Sequence, residues 1–395
     1  MAAKKIKSIE IGEIDLTSQD IVLGFGGDIL ITDSLLSNME GEGVNHLFSG
    51  LNSVLSQCDI ACANLETPVT SSLEKNPDKP EDLPFLRIAP KVAESFTYAP
   101  FNLFQLANNH MMDFGPSGLL ETMATLEQLN IDYVGVGKDI DDARKPFIKI
   151  INGVRIAILA FSNTYYADEN NPGCAPLRED VIVEDIKKIR SQCDLLIVGL
   201  HQGIVYCDYP LPEHINLARN FVDAGADIIV GHHPHVIQGA ENYGGGVICY
   251  SLNGLVFDWS REEEHKEIKN SVLVKEGILS YSENDQRARE GLIMLIGVKD
   301  AEVKVQFIPV FQDYHQIPVL AEGELHDSIQ QRFNGLSKAL GQPELPVWDK
   351  LDKLSSIENI AGIYADGLWG NLKKVSRIRP RHFKYIKDYV LSKIS

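Results

Sequence analysis

The chain has 395 residues, 44% apolar and 23% charged, an ordinary globular balance that excludes a disordered or fibrous polypeptide. With 37 Lys and Arg against 55 Asp and Glu, its net charge of −18 argues against nucleic acid as a partner, because phosphate backbones demand clustered cations. The length is ample for one large domain with extensions, or for two domains.

Met1–Gln19 is polar and carries Lys4, Lys5 and Lys7, with no apolar core behind them, so it does not read as a signal peptide. No apolar run reaches about 18 residues, so no transmembrane helix is expected and a cytoplasmic location is. Short apolar runs then recur along the chain. Ile21–Gly27, Asp59–Asn64, Phe101–Ala107, Ile156–Phe161, Leu195–Leu200, Asp227–Val230 and Val247–Leu252 all read as buried strands. Between them, Pro116–Leu129 and Pro212–Ala224 place apolar residues at helical spacing. This alternation predicts an α/β architecture with a largely buried sheet.

Lys304–Phe311 reads as a late strand, and the pattern changes near Leu320. The expected organisation is a polar N-terminal segment (1–20), a main domain (21–319) and a C-terminal helical extension (320–395). That extension holds Trp348, Trp369, the basic stretch Lys373–Lys384 and an amphipathic run, Phe383–Ile394. Glu74–Asp82 and Glu262–Lys269 read as solvated loops. Six scattered cysteines without CxxC spacing point to a reduced protein lacking structural disulfides.

The strong ligand types fall where the strands end. Asp28 follows the first run, Glu66 the second, and Asn108, Asn109 and His110 the third. His201 follows Leu195–Leu200, and His232, His233 and His235 follow Asp227–Val230. Ligands of open α/β sheets bind beyond the carboxyl ends of the strands, so parallel strands gather these segments at one edge. Each residue alone has a plainer reading as a cap, turn or loop residue, but three imidazoles within four positions have little structural purpose. Two carboxylates, an amide oxygen and several imidazoles suit Mn, Fe or Zn better than Ca. The set exceeds the needs of one tetrahedral Zn and is enough for two divalent ions about 4 Å apart, with Glu66 as the bridge.

Several motifs together resemble the bacterial capsule synthesis protein CapA family, linked to poly-γ-glutamate biosynthesis and belonging to the calcineurin-like metallophosphatase superfamily. They are Asn64-Leu65-Glu66, Ala107–His110 with Asp113 and Gly115, His201-Gln202-Gly203, Gly225-Ala226-Asp227, Gly231–His235 with Gln238 and Glu241, and Tyr250-Ser251-Leu252 with Phe257-Asp258. The resemblance spans about Ile21 to Val310. It implies a four-layer α/β/β/α sandwich, the calcineurin-like metallophosphoesterase fold, with a dinuclear centre at one edge. Motif by motif, it implies Asp28, Glu66, Asn109, His201, His233 and His235 as metal ligands, with the choice between His232 and His233 open by one register step. His110 and Asp113 take the catalytic positions, while Asn108, His232, Gln238 and Glu241 stand behind the ligands or beside substrate. The chain departs from the pattern at Leu30, where the superfamily has a histidine, and at Asp33, Gln202, Val205 and Asn253-Gly254.

The expected activity is metal-dependent hydrolysis of a phosphoester or a γ-glutamyl-type amide, in a small molecule or an anionic polymer. Two other readings remain open: a non-catalytic protein that holds a polymer or partner during capsule assembly, and a metal-free, epimerase-like enzyme on the same fold.

Overall fold

The computed structural model describes residues 6–38, 47–81, 83–258, 286–313 and 316–341. In chain order the strands are β1 (Ser8–Ile11), β2 (Ile21–Ile29), β3 (Ile60–Leu65), β4 (Leu103–Gln105), β5 (Asp132–Val134), β6 (Val136–Gly137), β7 (Phe147–Ile151), β8 (Val154–Ser162) and β9 (Gly173–Cys174). They continue as β10 (Leu195–His201), β11 (Ile228–His232), β12 (Ala240–Tyr243), β13 (Gly246–Cys249), β14 (Gly254–Val256), β15 (Glu290–Lys299), β16 (Glu302–Gln312) and β17 (Pro318–Leu320). The long helices among the described residues are α1 (Gly115–Gln128), α2 (Glu179–Arg190), α3 (Pro212–Ala224) and α4 (Gly323–Leu340).

Two large sheets carry the architecture. The nine-stranded sheet runs β1-β16-β15-β2-β3-β4-β5, with β14 beside β2 and β17 beside β16. Its β2, β3, β4 and β5 are mutually parallel. The six-stranded sheet runs β12-β13-β11-β10-β8-β7, with a parallel centre of β13, β11, β10 and β8. Strands β2, β3 and β10 are buried at every position, which explains why they read as unbroken apolar runs rather than alternating ones. One apolar core holds side chains of both sheets, including Leu23, Phe25 and Leu103 from one and Ile158, Ile197 and Val230 from the other. Helix α1 packs at β5, and its Thr122 hydroxyl accepts from the Val69 amide. Helices α2 and α3 pack together, and α3 lies against β11 and β13, burying Ile215, Ala218, Phe221 and Val222. The result is the α/β/β/α sandwich expected from the sequence.

Two segments differ from the sequence expectation in a physical way. The polar N-terminal segment contains β1, which pairs in parallel with β16, Ser8 opposite Glu302. An edge strand needs only backbone partners, so it leaves little hydrophobic signature. Glu74–Asp82, expected to be solvated, buries Asn76 and Lys79 at 7% and 5% exposure. Past Leu320, α4 packs into the same core through Ile329, Phe333 and Leu336, with the Phe333 ring 4.7 Å from Phe307. Glu262–Lys269, Trp348, Trp369, Lys373–Lys384 and Phe383–Ile394 lie outside the described residues.

Two glycines permit close approach at the sheet edge. A Cβ at Gly27 would lie 1.8 Å from the Asn253 carbonyl oxygen, and one at Gly231 would lie 1.9 Å from that of Tyr250. Each glycine directly precedes a residue of the candidate site, Asp28 or His232. The close approach sets where those side chains emerge.

Candidate metal centre

The donors converge from both sheets. Asp28 stands near the end of β2, Glu66 directly after β3, and Asn109 in the loop beyond β4, all in the nine-stranded sheet. His201 ends β10, and His233 and His235 follow β11, both in the six-stranded sheet. Carboxylate and amide oxygens therefore come from one sheet and imidazoles from the other. Asp28 sits inside its strand rather than after it, with Gly254 of β14 opposite.

Two groups of donor atoms each gather within 4.8 Å: Glu66, His201 and His233, and Asp28, Glu66 and His235. Glu66 belongs to both. Its Oε1 lies 3.6 Å from His201 Nε2 and 3.8 Å from His235 Nε2, and the residue is fully buried. Asn109 Oδ1 lies 2.7 Å from His201 Nε2, which adds an amide oxygen beside the first group. The other His201 nitrogen, Nδ1, is 3.3 Å from Asn64 Nδ2, which also donates to Asp28 Oδ1 at 2.8 Å. Asn64 thus aligns a ligand candidate from each sheet.

The backbone of the histidine turn is strained. His233 and His235 have φ of 98° and 52°, in the left-handed region that side chains with a Cβ seldom adopt. That strain turns both rings inward: the His201 and His233 ring centres are 4.8 Å apart, and those of His233 and His235 5.9 Å. The His233 amide donates to Asp28 Oδ2 at 3.1 Å, locking the turn onto the carboxylate. His232 remains in β11 with Nδ1 3.1 Å from Asp28 Oδ1. Of these two neighbours, His233 joins Glu66 and His201, while His232 backs Asp28.

The electrostatics favour ligation. Burial opposes ionisation of Asp28, but the adjacent His232 ring, with His235 and His201, holds its carboxyl well below the usual range. Burial, reinforced by His233, pushes His201 well down. Burial and neighbouring histidines lower His233 to about 3 and His235 to about 4. Neutral imidazoles facing the ionised Asp28 carboxylate are protonation states that a divalent cation requires. Among the described residues, neither His233 Nδ1 nor His235 Nδ1, both buried atoms, has a hydrogen-bond partner. The donor chemistry and these unsatisfied nitrogens fit a divalent metal.

The remaining candidates fall into different places. His110 Nδ1 lies 2.8 Å from Asp113 Oδ2, and His110 is close enough to depress both His233 and His235. Asn108 is fully buried and braces its loop: its amide donates to Asn64 Oδ1 and the Leu65 carbonyl, while its oxygen accepts from the His110 and Met111 amides. Gln238 donates to the Cys207 carbonyl at 2.8 Å. Glu241 is engaged by Arg219 at 2.9 and 2.6 Å and by the Tyr250 hydroxyl at 2.6 Å. These partners make Gln238 a tie to the loop after β10 and Glu241 a tie between α3 and β12. Neither joins the donor groups.

At Leu30 the departure from the family pattern has a structural counterpart. Leu30 packs with Leu86 and Phe257, and the Phe257 ring lies tilted against His235 with centroids 4.7 Å apart. An apolar wall thus flanks the second donor group. Two further residues near the site escaped the sequence reading. Asn64 lay within a quoted motif but had no assigned role. Lys79 lay in a polar run with no distinguishing signal.

Comparison with known proteins follows the same lines. The sequence profile described as bacterial capsule synthesis protein PGA_cap matches residues 22–259. The capsule biosynthesis protein CapA of Bacillus anthracis is 33% identical over 257 residues, covering 62% of each chain. The PGA biosynthesis protein CapA of Bacillus subtilis is 34% identical over 264 residues, covering 65% of this chain and 69% of that one. The match thus spans under two thirds of the Bacillus anthracis relative. Among solved structures, a phosphatase from Mycoplasma pneumoniae aligns at 16% identity with a TM-score of 0.47, covering 74% of this chain and 94% of that one. No described helix is long and apolar enough to cross a membrane.

Proposed function

The chain belongs to the bacterial capsule synthesis protein family, and from that premise we propose that it is a metal-dependent hydrolase serving capsule or poly-γ-glutamate biosynthesis. The observation that carries this reading is the pair of donor groups sharing Glu66, buried except at the partly exposed His233. Glu66, His201 and His233, with Asn109 beside them, would hold one divalent ion. Asp28, Glu66 and His235 would hold a second. When bound, such ions supply an activated water at neutral pH and polarise the bond to be cleaved.

The chain's own residues do the rest. Asn64 and the His233 amide fix Asp28, and Asn108 fixes the backbone that carries Asn109 and His110. Asp113 receives His110 Nδ1, which leaves Nε2 for proton transfer. As the imidazolium, His110 gives a proton from Nε2 to the departing oxygen or nitrogen, and Asp113 steadies the charge before transfer. Leu30, Leu86 and Phe257 keep water from one side. The same arrangement serves a phosphoester or a γ-glutamyl amide, so the substrate class is the finer part of the proposal. The Bacillus relatives' names favour a polyglutamate connection.

The test is elemental analysis of protein purified without chelator, with His233→Ala/His235→Ala as control. The expected result is close to two Mn, Fe or Zn per chain, lost in the control, with hydrolysis of a phosphoester or γ-glutamyl amide. His110→Ala should lose turnover but keep metal. Near-zero metal that added Mn cannot restore would overturn the reading and leave a polymer- or partner-binding role.

A further inference from the structure

We propose that Lys79 is a positioning residue for His110, acting through Asp113; this rests on the reading that His110 faces the substrate. The Lys79 ammonium bonds Asp113 Oδ1 and stands 3.2 Å from His110 Nδ1. Asp113 Oδ2 accepts from the Leu86 amide at 2.7 Å and faces His110 Nδ1 at 2.8 Å. The carboxylate is thereby held at both oxygens, by groups from two sides of one loop. Asp113 is fully buried and the Lys79 side chain is 4% exposed, so the pair is shielded from bulk water.

A buried ammonium is expensive to place, and loop anchoring does not explain it. The segment around Lys79 is already pinned by neutral groups. The Asn76 amide donates to the Asp113 carbonyl, and the Asn76 side chain donates to the Met112 carbonyl, both at 2.9 Å. The Leu86 amide supplies a third tie. What Lys79 adds is a charge at the Asp113 carboxylate, which orients His110. With Oδ1 held by Lys79, Oδ2 stays turned toward the imidazole, and the shorter contact makes Nδ1–H the donor. The Nδ1–H tautomer leaves the Nε2 lone pair facing away from the carboxylate, where a proton can be taken up and delivered. Without the ammonium, Oδ1 loses its Lys79 partner and the Leu86 amide alone is left to hold Oδ2, so the carboxylate is fixed at one oxygen instead of two and the ring's tautomer is less firmly set.

The experiment compares Lys79→Met, which keeps the stem, with Lys79→Arg, which keeps the charge, in full-length protein loaded with Mn for turnover and with diamagnetic Zn for NMR. Three readouts separate the outcomes: bound metal, turnover of bis(4-nitrophenyl) phosphate, and the ring nitrogens of His110 by NMR of ¹⁵N-histidine-labelled protein. Expected for Lys79→Met are unchanged metal, a kcat lowered about tenfold or more with KM within about twofold, and a His110 ring shifted from Nδ1–H toward mixed tautomers. Lys79→Arg should recover the wild-type tautomer and part of kcat. An unchanged His110 spectrum in Lys79→Met overturns the proposal, as does loss of metal with the ring unmoved. Should Lys79→Met fail to fold, Lys79→Gln, neutral but polar, is read in the same way. The spectrum needs no turnover, so a wild-type protein that hydrolyses nothing defeats the hydrolase reading alone and leaves Lys79 to be decided by the ring.

Discussion

Acid should loosen the metal-free protein through His235, and the size of the effect follows from its burial. His235 is 6% exposed, and burial with the nearby His110 lowers its pKa from 6.5 to about 4, against the opposing pull of Asp28. The folded state therefore binds the proton less readily than the unfolded chain does. The contribution is fully present above pH 6.5, falls as pH drops from 6.5 towards 4, and is constant below that. At about 1.36 kcal/mol per unit, a pH 1.5 units below 6.5 costs about 2 kcal/mol from this group. Asp28, held below the ordinary 3.8, contributes stability that is lost only under more acidic conditions and stays outside this window. The assay is urea unfolding in excess chelator at pH 8, 7, 6 and 5, for wild type and His235→Gln. The stability difference between the two should shrink by about 2 kcal/mol between pH 8 and pH 5 in favour of the variant. A difference that stays flat would refute the argument, because His201 and His233 titrate in both proteins.

Two other expectations concern the frame. Phe333→Ala removes a ring that is 4% exposed and packed 4.7 Å from Phe307, so it should cost about 3–5 kcal/mol in urea unfolding; a cost below about 1 kcal/mol would mean that α4 is not part of the core. All six cysteines are free, and burial pushes Cys58, Cys62, Cys174 and Cys249 up to about 12. Ellman's reagent at pH 8 should therefore find few thiols in the native protein and six after denaturation.

The site was legible because its residues obey a positional rule. A run of buried apolar residues ends, and the next polar side chain lies at the carboxyl edge of a parallel sheet; Glu66 and His201 are found that way. The rule fails where the decisive partner is remote in sequence and the local pattern is plain. Lys79 sits among acids and prolines that read as solvent-facing, and its partners lie 31 and 34 residues on. Strand β1 is four residues long and finds its partner 294 residues later, so nothing local announces it. Glu241 shows the opposite case: a quoted motif suggests a place behind the ligands or beside substrate, and what the structure adds is that Arg219 and the Tyr250 hydroxyl bond its carboxylate. The fold was read more fully than the site because periodicity reports burial, whereas the use of a buried polar group depends on what stands opposite.

On the proposed metal-dependent reading, the division of donors between the two sheets would have a consequence for how metal is acquired during folding. Asp28 and His235 are 207 positions apart, and every oxygen donor must wait for β2, β3 and β4 to pair in parallel, a non-local and intrinsically slow arrangement. His233 and His235 need no such wait, since with His232 they lie within four consecutive positions of the nascent chain. An unfolded chain in the presence of transition metal therefore already offers a local imidazole clamp. Metal taken up there stabilises the unfolded state as well, and so diminishes the gain in folding stability that binding would otherwise bring. Only when the two sheets close does Glu66 meet both halves. Metal that becomes hard to exchange would then serve as a kinetic signal that the sandwich has shut.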